Sequence, residues 1–478
     1  MYKKNGLYID GKWQPASDGR VKEVFDPATE TVIGTIPAAT PADLDAAIAA
    51  AERGLKIWRT TNPWERGAAL RKVAELIRER VTTIAKTMAA ETGKPMAEAL
   101  AETNAAADQF EWNSEETKRI YGQTIEGRTP DVRMSVRYQP VGVVAAFSAW
   151  NFPALLPARK IAAALGAGCS IVIKPAGEAP GSCMALIEAC NDAGIPAGVV
   201  NFVTGESSVI APHLVKADAV RKVSLTGSIP VGQKILHLAA DGVKKVTMEL
   251  GGHGPVIVFD DADADAAARV CAATKFRNCG QVCISPSRFY VHESVYETFA
   301  TAFAEVANGL KVGRGLDEGV QMGPMANPRG LAVAKDMIKD ALDRGAELLA
   351  GGSTPPGMEK GYFLEPTVLG RVPDDAKIMV EEPFAPVAPI TTFQNTDEVL
   401  ERANSLPFGL AGYLFTSSLK TAHMASDALE CGMVGVNEML LATAEAPFGG
   451  IKESGMGREG GSLGIMDYLE PKYIKMKL

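Results

Sequence analysis

Between residues 140 and 250 the chain alternates short, almost wholly apolar runs with amphipathic stretches, and few folds accept that pattern. Gly142-Val143-Val144-Ala145-Ala146-Phe147, Ser170-Ile171-Val172-Ile173-Lys174, residues 199–203, Lys222-Val223-Ser224-Leu225 and Val246-Thr247-Met248-Glu249-Leu250 read as strands. Helices are expected at 158–165, 182–193 and 231–240. Strands apolar on both faces and separated by helices imply a parallel α/β sheet, because parallel neighbours need a crossover and the crossover helices cover the sheet. A second alternating region runs from about 255 to 437, and 478 residues exceed what one core usually supports. Two or three domains are therefore expected.

Ahead of the sheet, residues 6–13 read as a hairpin around Asp10-Gly11, and 30–36 as an extended piece. Thr40-Pro41-Ala42-Asp43 has the form of a helix start: a capping threonine, proline at the first helical position and an early acid. Ala-rich amphipathic helices follow to about 120, with Leu70, Val73, Leu76 and Ile77 at helical spacing. Residues 133–138 alternate as an extended arm. A net charge of −8 argues against a nucleic-acid binder, which normally carries a basic patch. No run approaches the roughly 20 apolar residues of a membrane span, and the opening residues lack the apolar core of a signal peptide. Seven scattered cysteines, none in a CxxC pair, suggest free thiols rather than a disulfide or metal framework. A cytoplasmic protein is expected, with no metal site.

Phe276-Arg277-Asn278-Cys279-Gly280-Gln281-Val282-Cys283 is the most informative segment. A thiolate attacks carbonyls well, and nearby backbone N–H groups stabilise it. Taken alone, Cys283 reads more readily as a small buried residue. It is accompanied, in order, by Trp150-Asn151-Phe152-Pro153, Glu249-Leu250-Gly251-Gly252, Glu381-Glu382-Pro383-Phe384 and Pro447-Phe448-Gly449-Gly450. With these five motifs the whole chain resembles the aldehyde dehydrogenase superfamily, closest in flavour to succinate-semialdehyde and 2-oxoglutarate-semialdehyde dehydrogenases.

The resemblance implies that Cys283 attacks the aldehyde, that the Asn151 amide and the Cys283 N–H hold the oxyanion, and that Glu249 activates the water that hydrolyses the thioester. Lys160 and Glu459 match positions proposed to relay protons. Residue by residue, plainer readings stand beside these: Asn151 as a helix cap, Glu249 as a solvated strand-end acid. The resemblance also implies a nicotinamide dinucleotide site. Gly227 and Ser228 lie at the phosphate turn, where a helix N-terminus suits a pyrophosphate. Lys174 holds the adenine ribose, Glu382 the nicotinamide ribose, and Phe384 and Trp150 lie beside the ring, with Gly205 also in the site. Many NAD-preferring relatives carry a glutamate three residues after that lysine; here Gly177 stands there and Glu178 follows. Removing the charge favours a 2′-phosphate, so NADP or NAD is expected, with NADP slightly favoured. Ala385 stands where glycine is usual, with little consequence expected.

For the substrate, Arg159 and Arg277 match arginines that bind a distal carboxylate, a task suited to the guanidinium fork. Thr443 and Phe448 complete the expected pocket, although Ala442 replaces a usual serine. Succinate semialdehyde, a longer semialdehyde, an aromatic or aliphatic aldehyde and a phosphoaldehyde all stay open. So do a thioester-forming relative using coenzyme A or phosphate, and a non-catalytic structural relative. Cys279, four residues before Cys283, is either a redox partner or a small core residue. The implied fold is α/β: a Rossmann-type cofactor domain over 1–118 and 139–249, a catalytic α/β domain over 250–447, and a small oligomerisation extension from 119–138 and 465–478. The arm and the tail alternate as strands able to join a neighbour's sheet, so a homodimer or homotetramer is expected.

Overall fold

The computed structural model describes residues 6–478; residues 1–5, on which the signal-peptide expectation rests, lie outside the described residues. The alternation beginning near residue 140 builds an eight-stranded sheet. At its centre run the parallel strands Lys245–Glu249, Val220–Thr226, Val143–Phe147, Ser170–Lys174 and Val200–Phe202, in that spatial order. Antiparallel pieces close both edges: Gly455–Met456 beside Met248 and Glu249, and the hairpin of Leu7–Ile9 and Lys12–Gln14 beside Phe202. Asp10 and Gly11 both take positive φ (52° and 78°), as a tight two-residue hairpin turn requires. The chain leaves Val143–Phe147 to one side for two strands and returns to its other side for the next two. The crevice beyond the carboxyl ends of Val143–Phe147 and Val220–Thr226 is thus a topological switch point, where open α/β sheets bind ligands.

Helices cover both faces. Thr40 caps Pro41–Trp58 in a full capping box with Asp43, as the local residues suggest. Pro63–Glu79, Val81–Thr92 and Met96–Glu116 form the Ala-rich layer. Leu155–Ala167 lies between this layer and the sheet, buried over nearly its whole length. Ser207–Lys216 was not anticipated as a helix; Pro212 inside it is a residue that normally breaks helical patterns. The strand Val21–Asp26, which pairs with Thr31–Pro37, was likewise not anticipated, its exposed charged positions hiding the strand pattern.

The second alternating region builds a seven-stranded sheet in the order Glu347–Ala350, Thr367–Gly370, Val387–Phe393, Pro286–His292, Gly254–Val258, Ala411–Phe415 and Met433–Val436. Only its first edge strand is antiparallel. Its core holds a run of phenylalanines, with Phe289 and Phe303 centroids 5.0 Å apart. The arm Val132–Pro140 and the tail Leu469–Lys477 are strands, and they pair with each other along their whole length within one chain. Gln123–Glu126 takes the arm's other side, so the tail is an edge of this three-stranded sheet. No helix among the described residues is long and apolar enough to cross a membrane.

The Asp43 carboxylate accepts from Thr40 N (2.9 Å) and from Ser17 N, tying the first long helix to the segment before it. Asp43→Ala is expected to cost about 1 kcal/mol and to lower the apparent melting temperature by a few degrees in a thermal scan, with steady-state kinetics unchanged.

Candidate active site

Cys283 sits on the connection between helix Ala264–Phe276 and strand Pro286–His292. The chain enters it through three consecutive left-handed residues, Asn278 (φ 49°), Cys279 (φ 55°) and Gly280 (φ 71°). A Cβ on Gly280 would lie 2.1 Å from the Ala385 carbonyl oxygen, so only glycine fits there. Side chains elsewhere hold this unusual backbone. Asn278 N donates to Glu98 (2.8 Å), and Asn278 Nδ2 donates to the carbonyls of Asn151 and Gln281 (3.0 Å each). Gln281 Nε2 donates back to Asn278 O, and Gln281 Oε1 accepts from Ala326 N. Cys279 is packed into the core, whereas Cys283 opens into a cavity; both thiols are free. Burial pushes the Cys283 thiol up to about 12; the Arg159 cation opposes this and the Glu382 and Glu249 carboxyls add to it. At neutral pH the thiol keeps its proton until a base removes it.

Asn151 and Glu249 follow the ends of adjoining parts of the first sheet and line the same cavity as Cys283. Asn151 caps no helix, since the next one begins at Leu155; its Nδ2 donates to Gln281 O (3.1 Å) and its Oδ1 is buried without a partner. Glu249 is the last residue of its strand but only 2% exposed, and neither carboxyl oxygen has a hydrogen-bond partner, which excludes a solvated strand-end acid. Its pKa stands well above the usual carboxylate range, first through burial and then through the neighbouring Glu459, with Lys160 and Arg159 opposing. Lys160 Nζ pairs with Glu459 Oε1 at 2.6 Å and donates to Ser224 Oγ at 3.1 Å. Glu459 is fixed in turn by reciprocal backbone bonds with Phe448 (2.7 and 2.8 Å).

The cavity holding these groups encloses about 490 Å³. Its opposite wall carries Lys174, Gly177, Gly227 and Ser228, and its floor Glu382, Phe384 and Trp150. Ser228 is the N-cap of Ile229–Ala240 and makes no side-chain cap, so the first N–H groups of that helix face the cavity unsatisfied by side chains. Lys174 is buried, donates only to Pro175 O, and burial lowers its pKa to about 8. Glu382 Oε1 accepts from Gly252 N (3.2 Å); burial raises its pKa to about 8 against the pull of Lys275. A Cβ on Gly251 would stand 2.6 Å from Glu382 Oε2, so a side chain there would displace this carboxylate. Phe384 meets Trp150 edge-on, centroids 5.6 Å apart. Gly205 lies in an adjoining cavity of about 440 Å³ that shares Lys174 and Gly177. An uncapped helix N-terminus, a buried ammonium and a buried carboxylate with free lone pairs fit the phosphates and ribose hydroxyls of a dinucleotide. Among the described residues no group of three or more His, Cys, Asp or Glu side chains is arranged to hold a metal ion.

A third cavity, of about 840 Å³, opens on the other side of Asn151-Phe152 and is walled by Phe152, Leu155, Trp112, Leu440, Arg277 and Thr443. The Arg277 guanidinium stands 5.5 Å from the Phe152 ring centre, and that of Arg159 lies 4.0 Å over the ring of Phe448. Arg159 lines neither main cavity; it sits behind Phe448 with its field reaching Cys283 and Glu249. Both arginines have a buried Nε without a partner, and among the described residues neither forms an ion pair. Sequence reasoning passed over Lys94, Glu98, Glu102, Asn278 and Gln281. The first three lie on or beside an Ala-rich helix where charged residues look like a solvated face.

The aldehyde dehydrogenase family model matches residues 13–474. The chain is 45% identical to a glutarate-semialdehyde dehydrogenase of Pseudomonas putida, covering 98% of this chain and 96% of that one. It is 43% identical to the succinate-semialdehyde dehydrogenase [NADP(+)] of Escherichia coli, covering 99% and 98%. A crystal structure described as an E. coli NADP dependent enzyme superposes with a TM-score of 0.98 at 42% identity, covering 100% of this chain and 98% of that one. With its fold, its cysteine loop and its full length thus matched, the chain belongs to the aldehyde dehydrogenase family.

Proposed function

We propose that the protein oxidises an aldehyde bearing a distal carboxylate, such as succinate or glutarate semialdehyde, to the acid with NAD or NADP. The observation that carries this reading is one cavity uniting Cys283, Glu249 and Asn151, next to a second cavity lined by Arg277, which forms no salt bridge among the described residues. Cys283 Sγ bonds to the aldehyde carbon, and its proton passes to one of the two carboxylates that line the cavity beside it, Glu249 and Glu382. The oxyanion takes the Asn151 amide and the Cys283 N–H as donors, worth most where water is excluded. Bound NAD or NADP supplies the hydride acceptor that turns this adduct into a thioester. Glu249 in its ionised form then takes a proton from the attacking water, any proton received earlier having left by way of Lys160 and Glu459, and the second leaves by the same route. Arg277 holds the far carboxylate, with Arg159 adding its positive field from behind Phe448; Leu440 and Ala442 in place of a hydroxyl suit the longer chain. The segments 1–118 with 139–249 hold the cofactor, 250–447 carry the nucleophile, and the arm and tail sheet serves assembly into a homodimer or homotetramer, an open tail edge being the supporting feature.

Glu249→Gln is expected to release a burst of one reduced nicotinamide per active site, then turn over about 100-fold more slowly. Because burial and Glu459 keep Glu249 protonated above the usual carboxylate range, the basic form accumulates as pH rises. Stopped-flow traces and a kcat–pH profile, rising from mildly acidic pH in the native protein, check both points.

Arg277→Ala should lower kcat/KM for succinate and glutarate semialdehydes by about 10- to 100-fold, from the loss of a charge-assisted contact, and lower that for butanal far less, whereas Arg159→Ala, which removes a field on Cys283, should slow charged and uncharged aldehydes alike. Equal losses for Arg277→Ala on charged and uncharged aldehydes in initial-rate assays would remove the carboxylate from the reading.

Lys174 loses its charge as pH rises through about 8. Binding of 2′,5′-ADP, followed by calorimetry, should therefore weaken as pH rises through that value, and the dependence should vanish in Lys174→Met.

A further inference from the structure

Two carboxylates one turn apart on helix Met96–Glu116 reach the two halves of the active site. Glu98 accepts from Asn278 N (2.8 Å) and so holds the entry to the Cys283 loop. Glu102 points to the other half: its Oε1 accepts from Ala154 N (2.8 Å) and Leu155 N (3.2 Å), and its Oε2 pairs closely with Lys94 Nζ. Lys94 Nζ also donates to the carbonyl of Asn151 (2.9 Å) and lies 4.3 Å from the Phe152 ring centre. The side chains of this pair are 1% and 2% exposed.

A buried ion pair is a costly way to gain stability, because both ions lose their water and apolar replacements often serve as well. What it provides here is direction. Helix Leu155–Ala167 has no cap of its own, Ala154 standing at the N-cap, and Glu102 supplies the missing acceptor from another helix. That helix carries Arg159 and Lys160. The Asn151 carbonyl, held by Lys94 and by Asn278 Nδ2, fixes the peptide from which the Asn151 side chain projects. We propose that Lys94 and Glu102 are positioning residues for the reaction: their pair sets the Asn151 amide against the Cys283 loop. The proposal rests on the oxyanion role of Asn151 stated above.

The test is a double-mutant cycle. Lys94→Met with Glu102→Gln removes both charges at nearly constant volume and leaves no lone buried ion. It is made in the native background and in Asn151→Ala. Active sites are counted by stoichiometric labelling of Cys283, cofactor binding is measured separately, and kcat is expressed per labelled site. A donor misplaced by a fraction of its bond length should slow turnover by about 10- to 100-fold, with cofactor binding unchanged and no further loss in the Asn151→Ala background. A merely structural role would lower the number of labelled sites and leave kcat per site alone; that result, or an equal loss in both backgrounds, overturns the proposal. A slow Asn151→Ala with a full-speed double variant sinks the positioning role alone, whereas a neutral Asn151→Ala sinks the oxyanion role and the proposal with it. Should the double variant misfold, Glu102→Asp keeps the charge, shortens the reach to Ala154 and Leu155, and enters the same cycle.

Discussion

The ion pair between Lys160 and Glu459, buried where helix Leu155–Ala167 meets the first sheet, sets the conditions for the groups around it. Two ions out of water must be matched closely or not at all, and the matching recruits distant parts of the chain. Glu459 comes from near the C-terminus and is pinned by backbone bonds to Phe448; the same ring lies under Arg159, the residue next to Lys160. Glu249 is brought against this pair by its strand, and Gly449 packs beside it, where a Cβ would stand 2.8 Å from Glu249 Oε1 and 2.9 Å from the backbone carbonyl oxygen of Gly457. Gly455 serves the same packing: a Cβ on it would strike the carbonyl of Met248 at 1.9 Å. The glycines of the C-terminal segment are therefore the steric counterpart of the buried charges.

Those charges also decide how the cavity titrates. Cys283 and Glu249 each hold a proton above their ordinary ranges, both chiefly through burial, and the Glu249 carboxyl adds to the hold on the Cys283 proton. A thiol proton that leaves Cys283 has a nearby carboxylate to receive it when that carboxylate is ionised, and Lys160 with Glu459 offers a path onward. Arg159 counters the thiolate charge as it forms. The resting thiol is uncharged, which also makes it a poor target for oxidants.

The sheet strands and the residues that the cavity brings together were legible because both are local signals: apolar runs for buried parallel strands, short motifs for the cavity residues. Thr40 with Asp43 was legible for the same reason, a cap being written within four residues. What escaped was non-local. The arm and tail read as strands, but nothing in either says that residue 140 pairs with 469. Glu102 reads as one acid among alanines, since its partners Lys94, Ala154 and Leu155 become visible only when the helix is packed. The left-handed turns at Asn278 and Cys279 carry no glycine to announce them; Gly280 alone does. The Asn151 cap and the solvated Glu249 were reasonable one residue at a time; the helix start at Leu155 removed the first and burial the second.

The cofactor end of the cavity shows how a missing charge acts. A Cβ on Gly177 would meet nothing within 4 Å, so a longer side chain would fit, and its absence is electrostatic rather than steric. Glu178, though exposed, lines both cavities and is the acid that acts most strongly on Lys174. Glu206, across the adjoining cavity, is paired with Lys22 at 2.7 Å, so its charge is largely spent. The acids that face the buried ammonium of Lys174 are then an exposed side chain free to turn away from a 2′-phosphate and one already paired, while the hydroxyl of NAD loses only one acceptor. Such a site admits both cofactors, and the extra charge of NADP finds Lys174 and the rim lysine Lys22 where NAD finds only hydrogen-bond partners.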